Sequence, residues 1–537
     1  MADTVENLAL VMANLSHSIE ELKATIASLN STIDSLKAEN EYLKNNNELL
    51  REENAYLKRK LFGTKSEKIT HSMDQLSLFD EAENECEPEL LEDISYTRAK
   101  KKQKGKIDIK LDNLKHVKKV YDIDEKDRVC DECGSKLSYV GEEFVRHEVI
   151  YEPAKLYVKD IYRKTYECRN CRKKGKAVML KAGTPQPVVP HSYTSPSVLS
   201  QVIIDKYENH MPLYRQESEW KRLGMELSRT TMANWIIIAA KEYFIPLVNR
   251  MHELMMEESH IHCDETPVQV LNEPGKKATS KSYMWVYSSI KESKQPVKIF
   301  DYRSDRKATN PQEFLKGFGG TIITDGYYGY NHIDGVTNAY CWAHARRKFY
   351  DALPVDMKNA SDTLANTAVE KIARLFVIEK QIETLSPDKK VKVRQEKSKP
   401  LVDDFFLWCK YNQNKVLTAS KTGKAIQYVL NYEAGLRSFL EDGLVPMTNS
   451  LDERTIRPFT VGRKNWLFST STKGAEASAA VFSLIETAKA NKLNPYDYIE
   501  FILDYLPQQD LVEDPERLDW FLPWSEEIKE KFEIKAD

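Results

Sequence analysis

Two kinds of residue in this chain have the types and spacing to do chemistry: paired cysteines and acids carried on apolar strands. Cys130-Asp-Glu-Cys133 and Cys168-Arg-Asn-Cys171 are two C-x-x-C knuckles, each offering two thiolates from one tight turn. Four thiolates so arranged suit a closed tetrahedral zinc site, which is structural rather than catalytic; a redox pair is the other chemistry open to such knuckles. Cys86, Cys263, Cys341 and Cys409 have no partner in sequence and read as small buried or exposed residues. The acids are Asp264, inside the apolar run His260 to Val270, and Asp325, which ends Gly320-Thr-Ile-Ile-Thr-Asp325. Neighbouring carboxylates repel one another, and a divalent cation held by their hard oxygens removes that cost. A pair of Mg²⁺ ions so held activates an attacking water or 3′-hydroxyl and stabilises the leaving oxygen of a phosphoryl displacement. A third carboxylate is needed, and the best placed is Glu453 in Asn449-Ser-Leu-Asp-Glu453-Arg-Thr-Ile-Arg457-Pro.

The elements around these acids set whether they meet. His260 to Val270, Tyr283 to Ser288 and Pro296 to Tyr302 read as three strands of a meander. A helix around Pro311 to Phe318, a buried strand to Asp325, a strand over Val336 to Tyr340 and a helix from Ala343 follow. That is the strand order of the ribonuclease-H-like α/β fold, in which the first and fourth strands are adjacent and parallel. Asp264 and Asp325 then become neighbours. The bland alternative for Asp325 is a turn residue before Gly326. Glu453 lies beyond a mostly helical insertion at about 355–440, beside Asp452; adjacent helical residues point about 100° apart, so only one of the two faces a metal site.

Basic residues flank the acids. His344, Arg346 and Arg347 lie on the helix after the fifth strand, and Arg454, Arg457, Arg463 and Lys464 fall in a stretch without an acid. Guanidinium groups there suit phosphates, with ordinary surface ion pairing as the alternative. Trp466 and Phe468 have the shape to stack on a base, although burial in the core explains them as well.

Upstream, residues 190–250 read as helices. Ser195-Pro196 opens one, running to about His210; Pro212 starts a second over Leu213 to Leu223; Gly224 breaks it, and Ser228 caps a third. The third begins Arg229-Thr-Thr-Met-Ala-Asn234. A helix-turn-helix presents its second helix this way, with Arg229, Thr230, Thr231 and Asn234 toward base edges. Any three-helix bundle has the same outline.

The clearest periodicity is at the start. Leucines recur every seven residues from Leu8 to Leu57, and Met12, Ile19, Ile26, Ile33, Asn40, Asn47, Asn54 and Leu61 follow each by four. Ile at a, Leu at d and successive buried Asn favour a parallel two-stranded coiled coil, hence a homodimer. A long helix folded against the chain's own body is the other reading. Residues 69–99 are acidic and aperiodic, a linker in composition. From Lys100 to Lys119 nine lysines face two aspartates, which suits phosphate contact or a solvated tail.

Composition bounds the rest. In 537 residues, 41% hydrophobic and 30% charged residues indicate several globular units with long solvated helices. No apolar run reaches membrane-spanning length and no signal peptide is visible, so a cytoplasmic protein is expected. A net charge of only −3 means that any nucleic-acid face must be a local concentration of cations.

Several strings also resemble the transposases of the insertion sequence 66 family. They are Leu61-Phe-Gly-Thr-Lys-Ser-Glu-Lys68, His262-Cys-Asp-Glu-Thr-Pro-Val-Gln-Val270, Thr324-Asp-Gly-Tyr-Tyr-Gly-Tyr-Asn331, Cys341-Trp-Ala-His-Ala-Arg-Arg-Lys-Phe349, Gly462-Arg-Lys-Asn-Trp-Leu-Phe468, Ser483-Leu-Ile-Glu-Thr-Ala-Lys489 and the Leu522-Pro-Trp524 tail. The resemblance implies a multidomain α+β protein: coiled coil (1–68), linker (69–115), small β zinc-binding unit (116–185), helix-turn-helix bundle (190–250), ribonuclease-H-like catalytic domain with its helical insertion (258–470) and C-terminal helical element (471–537). It implies catalytic acids at Asp264, Asp325 and Glu453 with Mg²⁺ or Mn²⁺, structural Zn²⁺ on Cys130, Cys133, Cys168 and Cys171, and DNA ends and target as partners. It further implies small accessory proteins and a place at the bacterial nucleoid. Two positions depart from the family pattern: Cys263 stands where a small residue such as Ala is expected, and Asn449-Ser450 replaces an Asn pair. A repurposed, non-cutting DNA-binding regulator and a nuclease that cuts without joining are the rival functions.

The knuckles carry their own test. The purified full chain should bind about one Zn²⁺ per molecule by elemental analysis, and Cys168→Ser should lose most of it while Cys409→Ser keeps it. Equal metal content in all three proteins would remove the zinc assignment.

Overall fold

In the computed structural model the described residues are 17–51 (except 18, 41, 45, 48 and 49), 155–167, 179–353 (except 332), 363–509 and 514–532. All four knuckle cysteines, and most of the linker and of the small β unit, lie outside them. Contacts divide the chain into a unit of residues 1–88 and 162–537 and a second of 89–161. Of the second, residues 155–161 are described; they are exposed and without regular structure.

The described part of 17–51 is helical (α1) and every side chain on it is exposed, including Ile19, Leu22, Ile26, Leu29, Ile33 and Leu36. Within the small β unit, β1 (Thr165–Glu167) pairs antiparallel with β2 (Met179–Lys181). The three helices read from capping signals form nearly where expected, as α2 (Pro196–Tyr207), α3 (Leu213–Arg222) and α4 (Arg229–Ala239). Ser195 and Ser228 each accept a backbone N–H of the first turn, satisfying donors that a helix start leaves open. A one-turn π segment, Ala240–Phe244, continues α4 into α5 (Ile245–Met255).

The sheet follows: β3 (His260–Asn272), β4 (Lys281–Ser289), β5 (Lys298–Arg303), α6 (Thr309–Phe314), β6 (Thr321–Thr324), β7 (Thr337–Tyr340) and α7 (Trp342–Tyr350). In space the order is β5-β4-β3-β6-β7. β3–β4 and β4–β5 are antiparallel; β3–β6 and β6–β7 are parallel. Between β7 and the helix bearing Glu453 come α8 (Leu364–Ile382), α9 (Pro387–Val393), α10 (Lys399–Asn412), α11 (Lys421–Asn431) and α12 (Glu433–Arg437). Their apolar core is centred on Trp342, Phe405, Phe406 and Phe439, with the Trp342 indole donating to Leu436 O at 2.7 Å.

α13 (Ser450–Trp466) then returns to the sheet, β8 (Ser469–Ser471) extends the far end of β3, and α14 (Thr472–Ala490), α15 (Pro495–Tyr505) and α16 (Glu526–Phe532) complete the chain. α14 solves an edge problem. β5 would otherwise expose unpaired backbone groups, and Ser483 Oγ accepts from Phe300 N at 2.8 Å while Thr487 Oγ1 accepts from Lys298 N at 3.0 Å. Ala475, Ala477, Ala479, Ala480 and Ala488 keep that helix slim enough to lie close. One continuous core runs from Val188 through α2–α5 and the sheet to Ile528, so the boundaries drawn at 250 and 470 do not fall at breaks in packing.

The insertion is held by Arg394, only 2% exposed. Its guanidinium grips Glu379 with two bonds (2.9 and 2.6 Å) and donates to the carbonyls of Phe439, Asp442 and Val445. Removing it leaves a half-buried carboxylate and three carbonyls without their partner, so Arg394→Ala should cost about 3–5 kcal/mol in urea unfolding. A loss below about 1 kcal/mol would contradict this packing.

Candidate active site

Parallel register brings the first two acids together. β3 and β6 pair His260 with Thr321, Ile261 with Ile322 and His262 with Ile323; Asp264 follows two residues later on the face of β3 that carries His262, and Asp325, just past the end of β6, is near enough for its charge to act on it. Each acid spends one oxygen locally: Asp264 Oδ1 accepts from Glu265 N and Asp325 Oδ1 from Tyr327 N, both at 2.8 Å. The turn reading of Asp325 therefore holds: its carboxylate caps the turn that follows β6. Gly326 sits at φ +87°, and a side chain there would meet the Tyr428 hydroxyl, which donates to Asp325 O at 2.7 Å. That position requires glycine.

The electrostatics are those of crowded carboxylates. Burial, with Glu265, Asp325 and Asp452 nearby, pushes the Asp264 carboxyl well above its ordinary range. Burial and Asp325 also lift Glu265 to about 6, against the pull of Arg306. Glu265 is locked by Arg306 and by the Tyr330 hydroxyl at 2.8 Å, and Arg306 stacks on Tyr327 at 3.8 Å. Neither Arg306 nor Tyr330 was anticipated from the sequence as part of the site; both are tens of residues from Glu265, and only the fold brings them to it.

The two candidate carboxylates of α13 part company. Asp452 is fully buried: its Oδ1 accepts from the Ser288 hydroxyl at 2.5 Å, its Oδ2 has no partner, and burial pushes it up to about 7. Glu453 turns toward α7, with Oε1 at 3.7 Å from His344 Nε2. Burial pulls His344 below its ordinary value, and the charge of Asp325 opposes that shift. His344 is thus within electrostatic reach of Asp325 and beside Glu453. Among the described residues no three His, Cys, Asp or Glu side chains already converge into a metal cage.

Asn449 aligns α13 with β3. It is fully buried, with Oδ1 at 2.6 Å from His262 Nδ1, Nδ2 donating to Cys263 O at 3.1 Å, and its backbone N–H donating to Cys341 Sγ at 3.2 Å. Cys263, Cys341 and Cys409 are free and buried, and Cys263 fits its tight position.

The basic candidates divide by exposure. Arg229, Thr230, Asn234, Arg454 and Lys464 are exposed; Thr231, Arg347 and Arg457 are half-buried. Thr231 shares its hydroxyl with Ser228 at 2.9 Å, and Arg463 donates to Thr266 Oγ1 at 3.2 Å. Arg346 departs from the expectation of a phosphate contact: it is 6% exposed, on the inward face of α7 with Trp342, Ala345 and Phe349. Trp466 joins an aromatic cluster with Tyr207 and Phe482, whereas Phe468 stays exposed.

The family described as Transposase IS66 family matches residues 191–477, over half of the chain. Separate matches cover the zinc-finger binding domain of transposase IS66 (127–172), the IS66 C-terminal element (483–524) and Transposase C of IS166 homeodomain (49–118). The zinc-finger match contains both knuckles, and the last spans the stretch read as a linker. The chain belongs to the IS66 transposase family. It is 30% identical over 497 residues to the uncharacterized protein y4hP of Sinorhizobium fredii, covering 87% of this chain and 86% of that one. It is 29% identical over 426 residues to y4qI of the same organism, covering 76% of each. No helix among the described residues is long and apolar enough to cross a membrane.

Asn449→Ala leaves His262 Nδ1 and Cys263 O buried without partners. A stability loss of about 2–4 kcal/mol is expected in urea unfolding. Unchanged stability would refute the role given to this amide.

Proposed function

We propose that this transposase cuts and joins DNA strands with Asp264, Asp325 and Glu453, and that the sheet and its helices form a ribonuclease-H-like catalytic domain. The observation that carries the reading is the parallel register of β3 and β6, whose ends lead to Asp264 and Asp325 close enough for the charge of one to raise the other, with α13 bringing Glu453 to His344. The strand order β5-β4-β3-β6-β7 supports it. So does the electrostatics: crowded carboxylates that push the Asp264 carboxyl above its ordinary range are a donor set suited to a hard divalent cation. Mg²⁺ or Mn²⁺ held by Asp264, Asp325 and Glu453 supplies neutralisation of the phosphate and activation of the attacking oxygen.

This chain's own residues do the positioning. Arg306 and Tyr330 fix Glu265 and so fix the strand that carries Asp264. Tyr428 and Gly326 set the turn that aims Asp325. In the first reaction water attacks phosphorus at the element end, the bond to the 3′ oxygen breaks, and that oxygen takes a proton. In the second the freed 3′-hydroxyl attacks a target phosphodiester, whose own 3′ oxygen leaves. Arg229, Thr230 and Asn234 at the start of α4, in a helix-turn-helix, are the proposed contacts to the inverted repeats. Arg347, Arg454, Arg457, Arg463, Lys464 and His344 would serve the cleaved strand. Zinc on Cys130, Cys133, Cys168 and Cys171 would brace the small β unit. The apolar stripe of α1, exposed on a single chain, would be covered by a second copy in a parallel coiled coil, holding two DNA ends together.

The test is cleavage of element-end DNA in Mg²⁺. Asp325→Ala and Glu453→Gln should each lose at least about a hundredfold in rate while a gel shift still detects binding. Asp452→Asn should keep most of the activity. Equal rates for wild type and Asp325→Ala would sink the assignment, and loss with Asp452→Asn but not Glu453→Gln would exchange the two acids.

A further inference from the structure

A cavity of about 380 Å³ opens where the end of β4 and the start of α13 meet α8, α9 and the loop before α13. That volume is in the range of small-ligand sites. One wall is apolar, built from Ile290, Phe376, Leu444 and Met447, and the lining also carries Lys291, Lys390 and Arg454. Lys291 and Lys390 form long ion pairs with Glu383 and Glu292, acids of the same lining that a phosphate would have to replace. Lys291 lies 3.6 Å from Glu383 and Lys390 3.6 Å from Glu292, both beyond a good hydrogen bond, and Arg454 reaches Ser450 only at 3.4 Å. Arg394 and Glu379, also in the lining, are bound to each other.

The His262 ring lines this cavity too, and its tautomer follows from its partner. Asn449 Nδ2 donates to Cys263 O, so Asn449 Oδ1 is the acceptor and His262 Nδ1 carries the hydrogen. Nε2 is left with a lone pair, an acceptor for a ligand's N–H. His262 is two residues before Asp264 on the same face of β3, one strand repeat or about 7 Å away.

An apolar aromatic wall, a ring-nitrogen acceptor and loosely paired cations are the complement of one nucleotide: a flat base with an amino group, and a phosphate. We propose that the cavity holds a single unpaired nucleotide of the DNA substrate next to the strand-cutting carboxylates. The base lies against Phe376 and Ile290 with its amino group on His262 Nε2, and the phosphate is met by Lys291, Lys390 and Arg454. The DNA source of that nucleotide rests on the strand-cutting reading; the pocket itself does not.

Binding of dAMP to the full chain, followed by calorimetry, tests the pocket, with deoxyadenosine and inorganic phosphate as partial ligands. Saturable dAMP binding, stronger than either fragment, is expected. Lys390→Glu, which reverses a phosphate contact, and Leu444→Trp, which fills the cavity, should each weaken it tenfold or more with unfolding midpoints close to wild type. No saturable binding, phosphate binding as well as dAMP, or variants that bind like wild type would overturn the proposal. A second arm places 2-aminopurine unpaired beside the cleavage point of element-end DNA. A fluorescence change on wild type that both variants lose identifies the nucleotide as the substrate's own, whereas dAMP binding without it assigns a free nucleotide instead and overturns the DNA source. Cleavage without dAMP binding is failure of the pocket alone; dAMP binding without cleavage is failure of the strand-cutting reading alone.

Discussion

Repulsion between carboxylates on neighbouring parallel strands is the constraint around which this molecule is arranged. Pairing β3 with β6 in parallel leads both strands toward Asp264 and Asp325, and burying carboxylates close together costs several kcal/mol per unbalanced charge. The protein relieves only part of it. Arg306 offsets Glu265, and each of the two aspartates takes one backbone N–H. No cation of the chain is bonded to Asp264 among the described residues, and its carboxyl stays well above the ordinary range. A strained, under-neutralised acid cluster is a poor way to stabilise a fold and a good way to favour a ligand of opposite charge.

Holding such a cluster demands rigidity from elements far away in sequence. β3 is braced on one side by nine antiparallel pairings with β4 and on the other by β6. β5, the sheet's edge, is closed by hydroxyls of α14, nearly two hundred residues later. α13 is registered against β3 through the buried amide of Asn449, which ties it to His262, Cys263 and Cys341 at once, and through Arg463, which donates to Thr266. The helical insertion gives α13 its approach, and Arg394 fastens that insertion by collecting three carbonyls and a carboxylate.

Local signals made much of this legible. Ser195 and Ser228 announce helix starts because they supply an oxygen that the first turn lacks, and both do so. The strands were visible because β-branched and aromatic residues cluster between turn residues, and their ends shift by only a few positions. Arg346 was misread for a physical reason: an Arg in a basic string looks solvated, but it falls on the same helical stripe as Trp342, Ala345 and Phe349. The Glu265–Arg306–Tyr330 network and the edge cap by α14 had no local signature, since a hydrogen bond between distant residues leaves no periodicity behind.

Asp452 and Glu453 show how adjacent, chemically similar residues acquire different fates. On a helix they diverge by about 100°, so α13 can turn one toward the sheet and the other toward α7. Asp452 meets a serine in a fully buried site, where burial favours its protonated form. Glu453 meets His344, beside Asp325. An acid whose burial favours its protonated form and which is bonded to a hydroxyl is a packing element, whereas Glu453 meets an imidazole at the rim of the carboxylate cluster. The environment, rather than the residue type, therefore favours Glu453 as the third acid, and it does so only once α13 has been aligned by Asn449.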